Sequence, residues 1–448
     1  MNEQSENQSS PAKWYQGSIL IKLGIITVIV LLLLIPSAWI QSLIEERAAT
    51  QQAVTQTVSD QWSGSQQIDG PVLIIPYKKQ VTTLDDKKQK VTRDETDYIY
   101  ILPEMLGIKA NVKTELFHRG IIDVTGYTSK INIQGSFNKA AINKLGVNPS
   151  QVVYDKVRIV FSLSDLKGLI NNPAVLINNQ SYVPEPIYGN NSPFEKGLQV
   201  TFALPQEDSM AFSYTLDLKG SNTLSFLHIG KTTDVEVTSD WKSPGFDGRY
   251  LPDSRTINTN GFTAKWHMLY YNRPFPQQWL SDDSLLTNKK NREDATFGVK
   301  MQLPVDQYRE TTRTAKYAIL VILLTFVSLF LTELIRKQRI HLFNYILIGA
   351  AMIVYYTLLL SFSEHMGFNL AYLIASASTI TLISWFTSSL LNNKNMALLF
   401  GSILTTFYGF IYVLVQLEEL SLLIGSVALF IIVALLMYFS RKINWDRH

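Results

Sequence analysis

Residues 343–391 read FNYILIGAAMIVYYTLLLSFSEHMGFNLAYLIASASTITLISWFTSSLL, two long apolar runs separated by the short polar stretch SEHMG. Each run has about the 20 residues that an α-helix needs to cross roughly 30 Å of hydrocarbon. The connection is so short that the two helices must be antiparallel neighbours. The stretch therefore predicts a transmembrane hairpin and identifies the chain as a membrane protein.

Similar apolar runs occur before and after this hairpin. The six predicted spans are Ile19–Ile40, Tyr317–Ile335, Phe343–Phe362, Phe368–Leu391, Met396–Gln416 and Leu420–Phe439. The first run is longer than the 7–15 residues of a signal-peptide core, which predicts an uncleaved anchor. Lys22 is the only charged residue in that run, and we expect its ammonium group to reach the lipid headgroups.

Basic residues occur in alternate connections between the spans. Lysines and arginines follow the second, fourth and sixth spans, at Arg336, Lys337, Arg339, Lys394, Arg441, Lys442 and Arg447. The connections around Glu364 and Glu418 contain none. Because Lys and Arg in short loops mark the cytoplasmic side, both termini are predicted to be cytoplasmic and residues 43–315 external.

The composition excludes several classes of protein. The 448 residues carry a formal net charge of +3, too small to indicate a nucleic-acid partner. The absence of cysteine excludes disulfides, thiolate metal sites and cysteine nucleophiles. The apolar residues collect near the N-terminus and in the last third, so the middle of the chain resembles a water-exposed domain.

The middle of the chain shows the alternating pattern of half-buried strands. The predicted strands are 71–77, 98–103, 131–137, 157–163, 212–220 and 233–241, with a charged hairpin connection at 81–97 and one short helix at 164–172. Val54, Val58 and Trp62 lie four residues apart and predict a helical stalk after the anchor.

These patterns predict a membrane α-helical fold with six transmembrane helices. A β-rich, sandwich-like extracytoplasmic domain is inserted between helices 1 and 2. The predicted segments are a cytoplasmic tail (1–18), a transmembrane anchor (19–42), a helical stalk and linker (43–65), a β-rich periplasmic domain of one or two lobes (66–315), a five-helix transmembrane bundle (316–440) and a second cytoplasmic tail (441–448).

Several long strings resemble the CreD family of bacterial inner-membrane proteins. They include EERAATQQAVTQTVSDQWSG (45–64), IDGPVLIIPY (68–77), FGVKMQLPVDQY (297–308), SFSEHMGFNLAYLIAS (361–376) and FYGFIYVLVQLEELSLLIGS (407–426). The resemblance implies a place in the bacterial inner membrane and a role in cell-envelope integrity and the response to envelope stress. It implies no catalytic residue and no reaction.

The titratable residues do not form a recognisable catalytic or metal-binding motif. The six histidines are dispersed, at His118, His228, His267, His341, His365 and His448. Neither HExxH nor GxSxG, a P-loop or GxGxxG occurs. We therefore expect no catalytic, cofactor-binding or metal-binding residues, no cofactor and no enzymatic activity.

Glu364 and His365 allow two interpretations, a proton-handling pair or a hydrated turn that ends at Gly367. Their place at an external hairpin favours the turn. Glu333 is expected to pair with Arg336 and Lys337 at the cytoplasmic interface, and Glu418 and Glu419 belong to an outer connection. Because none of these acids lies at mid-membrane, a proton-coupled transporter is disfavoured.

Two further features each leave two interpretations open. Small residues recur in the spans, as Gly401, Thr405 and Gly409, as Ala377, Thr381, Ser384 and Ser388, and as Ser421, Gly425 and Ala428. They indicate close helix packing, or a polar path for a lipid or small solute along the fourth span. The loop 238–255, with Trp241, Phe246 and Tyr250, either packs on the rim of the β domain or presents a binding surface.

The sequence thus predicts a non-enzymatic scaffold or interaction module that supports the envelope. Its expected partners are the lipid bilayer and envelope proteins or glycans, and no nucleic acid. The alternative is a transporter or lipid-handling protein that uses the C-terminal helices.

Overall fold

A computed structural model describes residues 19–84, 90–187, 192–281, 284–301, 307–336, 340–391, 394–417 and 420–440. The chain divides into two compact units. The helical unit comprises Met1–Gln52 and Val305–His448, and the β domain comprises Ala53–Pro304.

The long helices occur at both ends of the chain. They are α1 (Ile19–Trp62), α5 (Gln307–Lys316), α6 (Ala318–Arg336), α7 (Leu342–Met366), α8 (Phe368–Leu391), α9 (Lys394–Gln416) and α10 (Ser421–Ser440). Three short helices lie between them in the chain, α2 (Ala140–Asn143), α3 (Ser284–Thr287) and α4 (Lys289–Ala295).

Four helices in the described residues are long and apolar enough to cross a membrane, namely α1, α7, α8 and α9. A fifth span results if α5 and α6, which are bent by 41° at their junction, are counted together. In α10 the apolar stretch Leu423–Ala434 is shorter. Transmembrane helices are thus present, and the sixth stays a prediction.

Helix α5 corrects the predicted end of the β domain at residue 315. It belongs to the helical unit, where Tyr308, Thr311, Thr314 and Ala315 are buried. The sequence QYRETTRTAK looks like a polar loop, but its buried residues recur at helical spacing on one face.

The β domain contains two sheets. Their strands are β1 (Gln66–Leu84), β2 (Lys90–Ile101), β3 (Met105–Arg119), β4 (Ile122–Asn138), β5 (Val157–Leu163), β6 (Val175–Ile177), β7 (Gln180–Tyr182), β8 (Glu185–Pro186), β9 (Leu198–Phe202), β10 (Ser209–Ser221), β11 (Thr223–Leu227), β12 (Thr232–Ser239), β13 (Gly245–Gly248), β14 (Ser254–Asn258), β15 (Gly261–Leu269), β16 (Gln278–Leu280) and β17 (Thr296–Lys300). The first sheet has the strand order β13-β17-β11-β1-β5-β9-β8, with β2 paired to β1 and β16 paired to β2. The second sheet has the order β14-β15-β12-β3-β4-β10-β6-β7.

The inner faces of the two sheets share one hydrophobic core. Phe161 of the first sheet stacks on Tyr214 of the second, with ring centroids 4.5 Å apart. Inward positions alternate with outward ones, as in β3, where Leu106, Ile108 and Ala110 are buried. A single core means one sandwich-like unit rather than two lobes.

The six predicted strand segments fall in β1, β2, β4, β5, β10 and β12. The segment 81–97, predicted as a connection, continues as paired strand up to Leu84 opposite Lys90. The predicted helix at 164–172 is a 3₁₀ turn, Leu166–Gly168, in which the Asp165 carboxylate accepts the Lys167 N–H at 3.0 Å.

Candidate functional site

The outer face of the second sheet carries a large surface depression to which many polar side chains contribute. Register places outward side chains of neighbouring strands side by side. One rung contains Lys265, Glu236, Lys109, Asn132 and Thr215, and the next contains His267, Asp234, Gly107, Gln134, Ser213 and Leu176. These rungs form the floor of an open trough.

The trough consists of two contiguous depressions. The larger has a volume of about 1050 Å³ and the smaller about 570 Å³. Both are lined by Asn132, Gln134, Leu176 and Ser213. The shared lining makes one elongated trough across the strands.

Gly107 deepens the middle of the trough. A glycine inside a strand often marks a place where another molecule approaches the backbone closely. A Cβ at this position would lie 3.5 Å from Cγ of Gln134, an ordinary contact. The fold therefore does not require glycine here, although a large side chain would fill the trough.

The charges that line the trough are nearly balanced. Four carboxylates (Asp217, Asp234, Glu236, Asp253) accompany three lysines (Lys109, Lys130, Lys265) and His267. Nζ of Lys265 lies 3.5 Å from Oε1 of Glu236, and Nδ1 of His267 lies 2.6 Å from Oδ1 of Asp234. The hydrogen bond with Asp234 raises the pKa of His267.

Amide and hydroxyl groups form the centre of the trough. The Thr215 hydroxyl donates to Oδ1 of Asn132 at 2.9 Å. The side-chain amide of Gln134 is exposed and makes no hydrogen bond to any residue that the structure describes. Its donor and acceptor are therefore available to a ligand.

The aromatic loop 238–255 packs on the rim of the β domain. The Tyr250 hydroxyl donates to the carbonyl of Asn272 at 2.7 Å, and the Phe246 ring meets the Trp266 ring edge-on at 6.1 Å. Nε1 of Trp241 donates to the carbonyl of Ser243 at 3.0 Å. The loop therefore packs on the rim, as the first interpretation expects. Asp253 of the same loop adds a carboxylate to the trough, and a binding role for the loop stays a prediction.

Glu364 and His365 have different surroundings. Helix α7 ends at Met366, and Gly367 follows with φ of 77°, a conformation that favours glycine. Glu364 accepts a hydrogen bond of 2.9 Å from the buried Tyr308 of α5, whereas His365 is exposed. The doublet is therefore not a simple hydrated turn, because its acid is tied to α5.

Glu333 and Lys22 form a pair that the sequence did not predict. Glu333, which is 8% exposed, forms an ion pair with Lys22 and accepts a hydrogen bond from Tyr345 at 3.3 Å. Nζ of Lys22 also donates to the Ile340 carbonyl at 2.8 Å. Lys22 thus pairs inside the helical unit, and its contact with the lipid headgroups stays a prediction. The side chains of Arg336 and Lys337, the predicted partners of Glu333, lie outside the described residues.

The small-residue stripes form only part of the helix contacts. Ala377 and Thr381 are exposed, while Ser384 Oγ lies 3.1 Å from the position of a Cβ on Gly401. The centre of the unit instead contains a cluster of tyrosine rings that the sequence did not single out. Tyr355 lies 4.8 Å from Tyr356 and 4.8 Å from Tyr408, between ring centroids.

No group of three histidine or acidic side chains is placed to hold a metal ion in the part of the chain that the structure describes. His228 is buried between Thr233 and the Leu269 carbonyl, and His118 is paired with Asp123. Glu418, Glu419 and His448 lie outside the described residues. The expectations of no metal, no cofactor and no catalysis stay predictions.

Comparison with known proteins gives a consistent result. Residues 18–446 match the family described as inner membrane protein CreD. The chain is 30% identical over 421 residues to the inner membrane protein CreD of Escherichia coli (strain K12), which covers 93% of this chain and 91% of the relative.

Proposed function

Because the chain belongs to the CreD family of inner membrane proteins, we propose that its β domain lies on the outer side of that membrane. There it acts as a non-enzymatic interaction module that supports cell-envelope integrity and the response to envelope stress. The open polar trough on the second sheet carries this proposal, since it is a large accessible surface with paired charges.

The proposed topology has six spans, with both termini in the cytoplasm. The alternation of basic and non-basic connections supports it. Helix α10, Ser421–Ser440, is the sixth span in this arrangement. The β strands follow α1 and precede α5 in the chain, so in this arrangement one crossing separates the β domain from the N-terminus and five crossings separate it from the C-terminus. Both numbers are odd, which puts the two termini together on the side of the membrane opposite the β domain.

Single cysteines in this cysteine-free chain test the topology. His365 is exposed at the end of α7, and Asn395 is exposed at the start of α9. We expect an impermeant maleimide to label His365→Cys in cells with a permeabilised outer membrane, and Asn395→Cys only after lysis. The opposite labelling would overturn the topology. Ser363 is buried and unsuitable for labelling.

Complementation tests the role of the trough. Gly107→Tyr fills the trough, and Gln180→Ala changes an exposed glutamine of β7 that does not line it. In a strain lacking the protein, we expect Gln180→Ala to restore resistance to detergent stress and Gly107→Tyr to fail at an equal membrane level. Full rescue by Gly107→Tyr would contradict the proposal.

The alternative function, transport or lipid handling by the helices, is supported by one group of contacts. The Gln416 amide donates to Asn369 at 3.0 Å and to Glu310 at 3.4 Å. These residues lie near the ends of their helices, as do Tyr308 and Glu364, which bond to each other. Polar groups at helix ends can lie along a solute path. Loss of complementation by Glu364→Gln, together with rescue by Gly107→Tyr, would favour this alternative.

A further inference from the structure

We propose that the trough on the second sheet binds a linear, uncharged polysaccharide strand. This inference rests on the proposed function, because it names the envelope component that the β domain contacts. Four properties of the trough support it, namely its length, its charge balance, its hydrogen-bonding groups and its shortage of apolar anchors.

The length of the trough suits a polymer. Its lining residues come from seven neighbouring strands, from Ser254 on β14 to Leu176 on β6. Six strand spacings of about 4.8 Å give roughly 29 Å. A surface of this length can contact several sugar units of an extended chain at the same time.

The charge balance disfavours a strongly charged ligand. Asp234 and Glu236 are engaged by His267 and Lys265 on the same face. A polyanion would meet the four carboxylates of the lining, and a polycation would meet its lysines. An occupant without dense charge meets neither penalty.

The hydrogen-bonding groups match hydroxyl-rich ligands. The amide of Gln134 offers two N–H donors and one carbonyl acceptor, and the hydroxyls of Ser136 and Ser213 lie beside it in the lining. Each sugar hydroxyl also donates and accepts. The pairing can therefore repeat along a polysaccharide strand.

The burial of the aromatic side chains in the lining disfavours a protein partner. Protein interfaces use aromatic anchors that enter buried pockets. Here Trp266 and Phe212 lie beneath the floor of the trough and are buried. Met105, 60% exposed, and Leu176, 41% exposed, offer apolar surface together with the exposed Ala211, enough for the C–H faces of a few sugar rings.

Isothermal titration of the full chain in nanodiscs tests the proposal. The probes are chitohexaose and laminarihexaose, with a hexagalacturonate and hexalysine as charged comparisons. We expect saturable binding of at least one uncharged hexasaccharide and at least tenfold weaker binding of both charged probes. The preferred hexasaccharide tells whether N-acetylated amino-sugar strands or plain glucose chains are the natural source.

Two variants and one control locate the binding. Gln134→Ala removes one hydrogen-bonding group and should weaken binding about fivefold. Gly107→Tyr should abolish it, and Gln180→Ala should leave it unchanged. Thermal unfolding of each variant shows that the β domain is folded. Equal affinity of Gly107→Tyr and the native chain would overturn the proposal.

The failure of this inference is distinguishable from failure of the proposed function. If neither uncharged hexasaccharide binds, the glycan inference is wrong. If Gly107→Tyr still fails to complement, the proposed function stands with another occupant. If neither sugar binds and Gly107→Tyr complements fully, both are wrong.

Discussion

Lys22 of α1 and Glu333 of α6 are 311 residues apart in the sequence and form an ion pair in the helical unit. Glu333 also accepts the Tyr345 hydroxyl of α7, and Lys22 donates to the Ile340 carbonyl. The pair therefore joins the N-terminal helix to helices formed by the last third of the chain.

Removing either member of this pair should destabilise the helical unit. Lys22→Met leaves the Glu333 carboxylate buried without its cation, and we expect a loss of about 3 kcal/mol in the free energy of unfolding. The measurement is thermal unfolding of the full chain in detergent.

The double variant separates pairing from packing. Lys22→Met combined with Glu333→Leu leaves no unpaired charge and should recover more than half of the loss. Glu45→Gln, at an exposed position of α1, is the control and should have no effect. If the double variant loses as much as the sum of the two single changes, the pair makes no coupled contribution.

His228 should make the β domain less stable at acid pH. Burial, together with the nearby charge of Arg273, lowers the pKa of His228 to about 4. His228 is therefore protonated below about pH 6.5 in the unfolded chain, but only below about pH 4 in the folded domain. Stability should fall by about 2.5 kcal/mol between pH 7.5 and pH 4.5.

Variants at two histidines test this assignment. His228→Gln cannot titrate and can still bond to Thr233, so it should remove most of the pH dependence even if stability at pH 7.5 is lower. The exposed His118, changed to Gln, should keep the native dependence. Thermal midpoints of the full chain across this pH range provide the measurement. An unchanged slope in His228→Gln would refute the assignment.

Residue patterns predicted the elements with the strongest periodicity. The hairpin at 343–391 is present as α7 and α8, and β12 follows its alternating sequence. Helix α5 was missed because its sequence is polar. Only the helical spacing of its buried residues shows that it has a buried face. Strand β3 was missed because MLGIKANVKTELFHR ends in exposed residues that weaken the alternation.

The trough could not be predicted from the sequence because it depends on strand register. Gly107, Gln134 and Asp234 are far apart in the chain and meet only through the pairing of β3 with β4 and β12. The Lys22–Glu333 pair was missed because it depends on the packing of two helices that are far apart in the chain. Local spacing favoured Arg336 and Lys337, which lie closer to Glu333 in the sequence.

Asp165 should stabilise the start of the β domain. Partial burial acts to raise the pKa of Asp165. Hydrogen bonds from Gly64, Lys167 and Ser63 outweigh this effect and hold the pKa below its usual value. The Ser63 hydroxyl and Gly64 N–H donate to Oδ2 at 3.1 and 3.2 Å. Asp165→Ala leaves these donors unpaired, so we expect a loss of about 2 kcal/mol in thermal unfolding.

Asp155 provides the matched control for Asp165. It is exposed in the 3₁₀ turn Tyr154–Lys156, and Asp155→Ala should change stability by less than about 0.5 kcal/mol. Equal effects of the two alanine variants would show that the carboxylate of Asp165 does not hold this segment.

Two strand glycines should respond in opposite ways to the same substitution. A Cβ at Gly135 would lie 2.2 Å from the Met105 carbonyl oxygen and 2.6 Å from the Phe212 ring, so Gly135→Ala should cost at least about 3 kcal/mol. Gly107 has only the ordinary 3.5 Å contact with Gln134. Gly107→Ala should therefore stabilise the domain by about 0.5 kcal/mol, through lower entropy of the unfolded chain.

Thermal unfolding of both alanine variants, followed by tryptophan fluorescence, compares the two positions. A stable Gly107→Ala protein would show that the fold does not need glycine at this position. The reason for the glycine would then be the open space that it leaves in the trough. If Gly107→Ala is destabilised as strongly as Gly135→Ala, the glycine serves strand packing instead, and the trough loses its central argument.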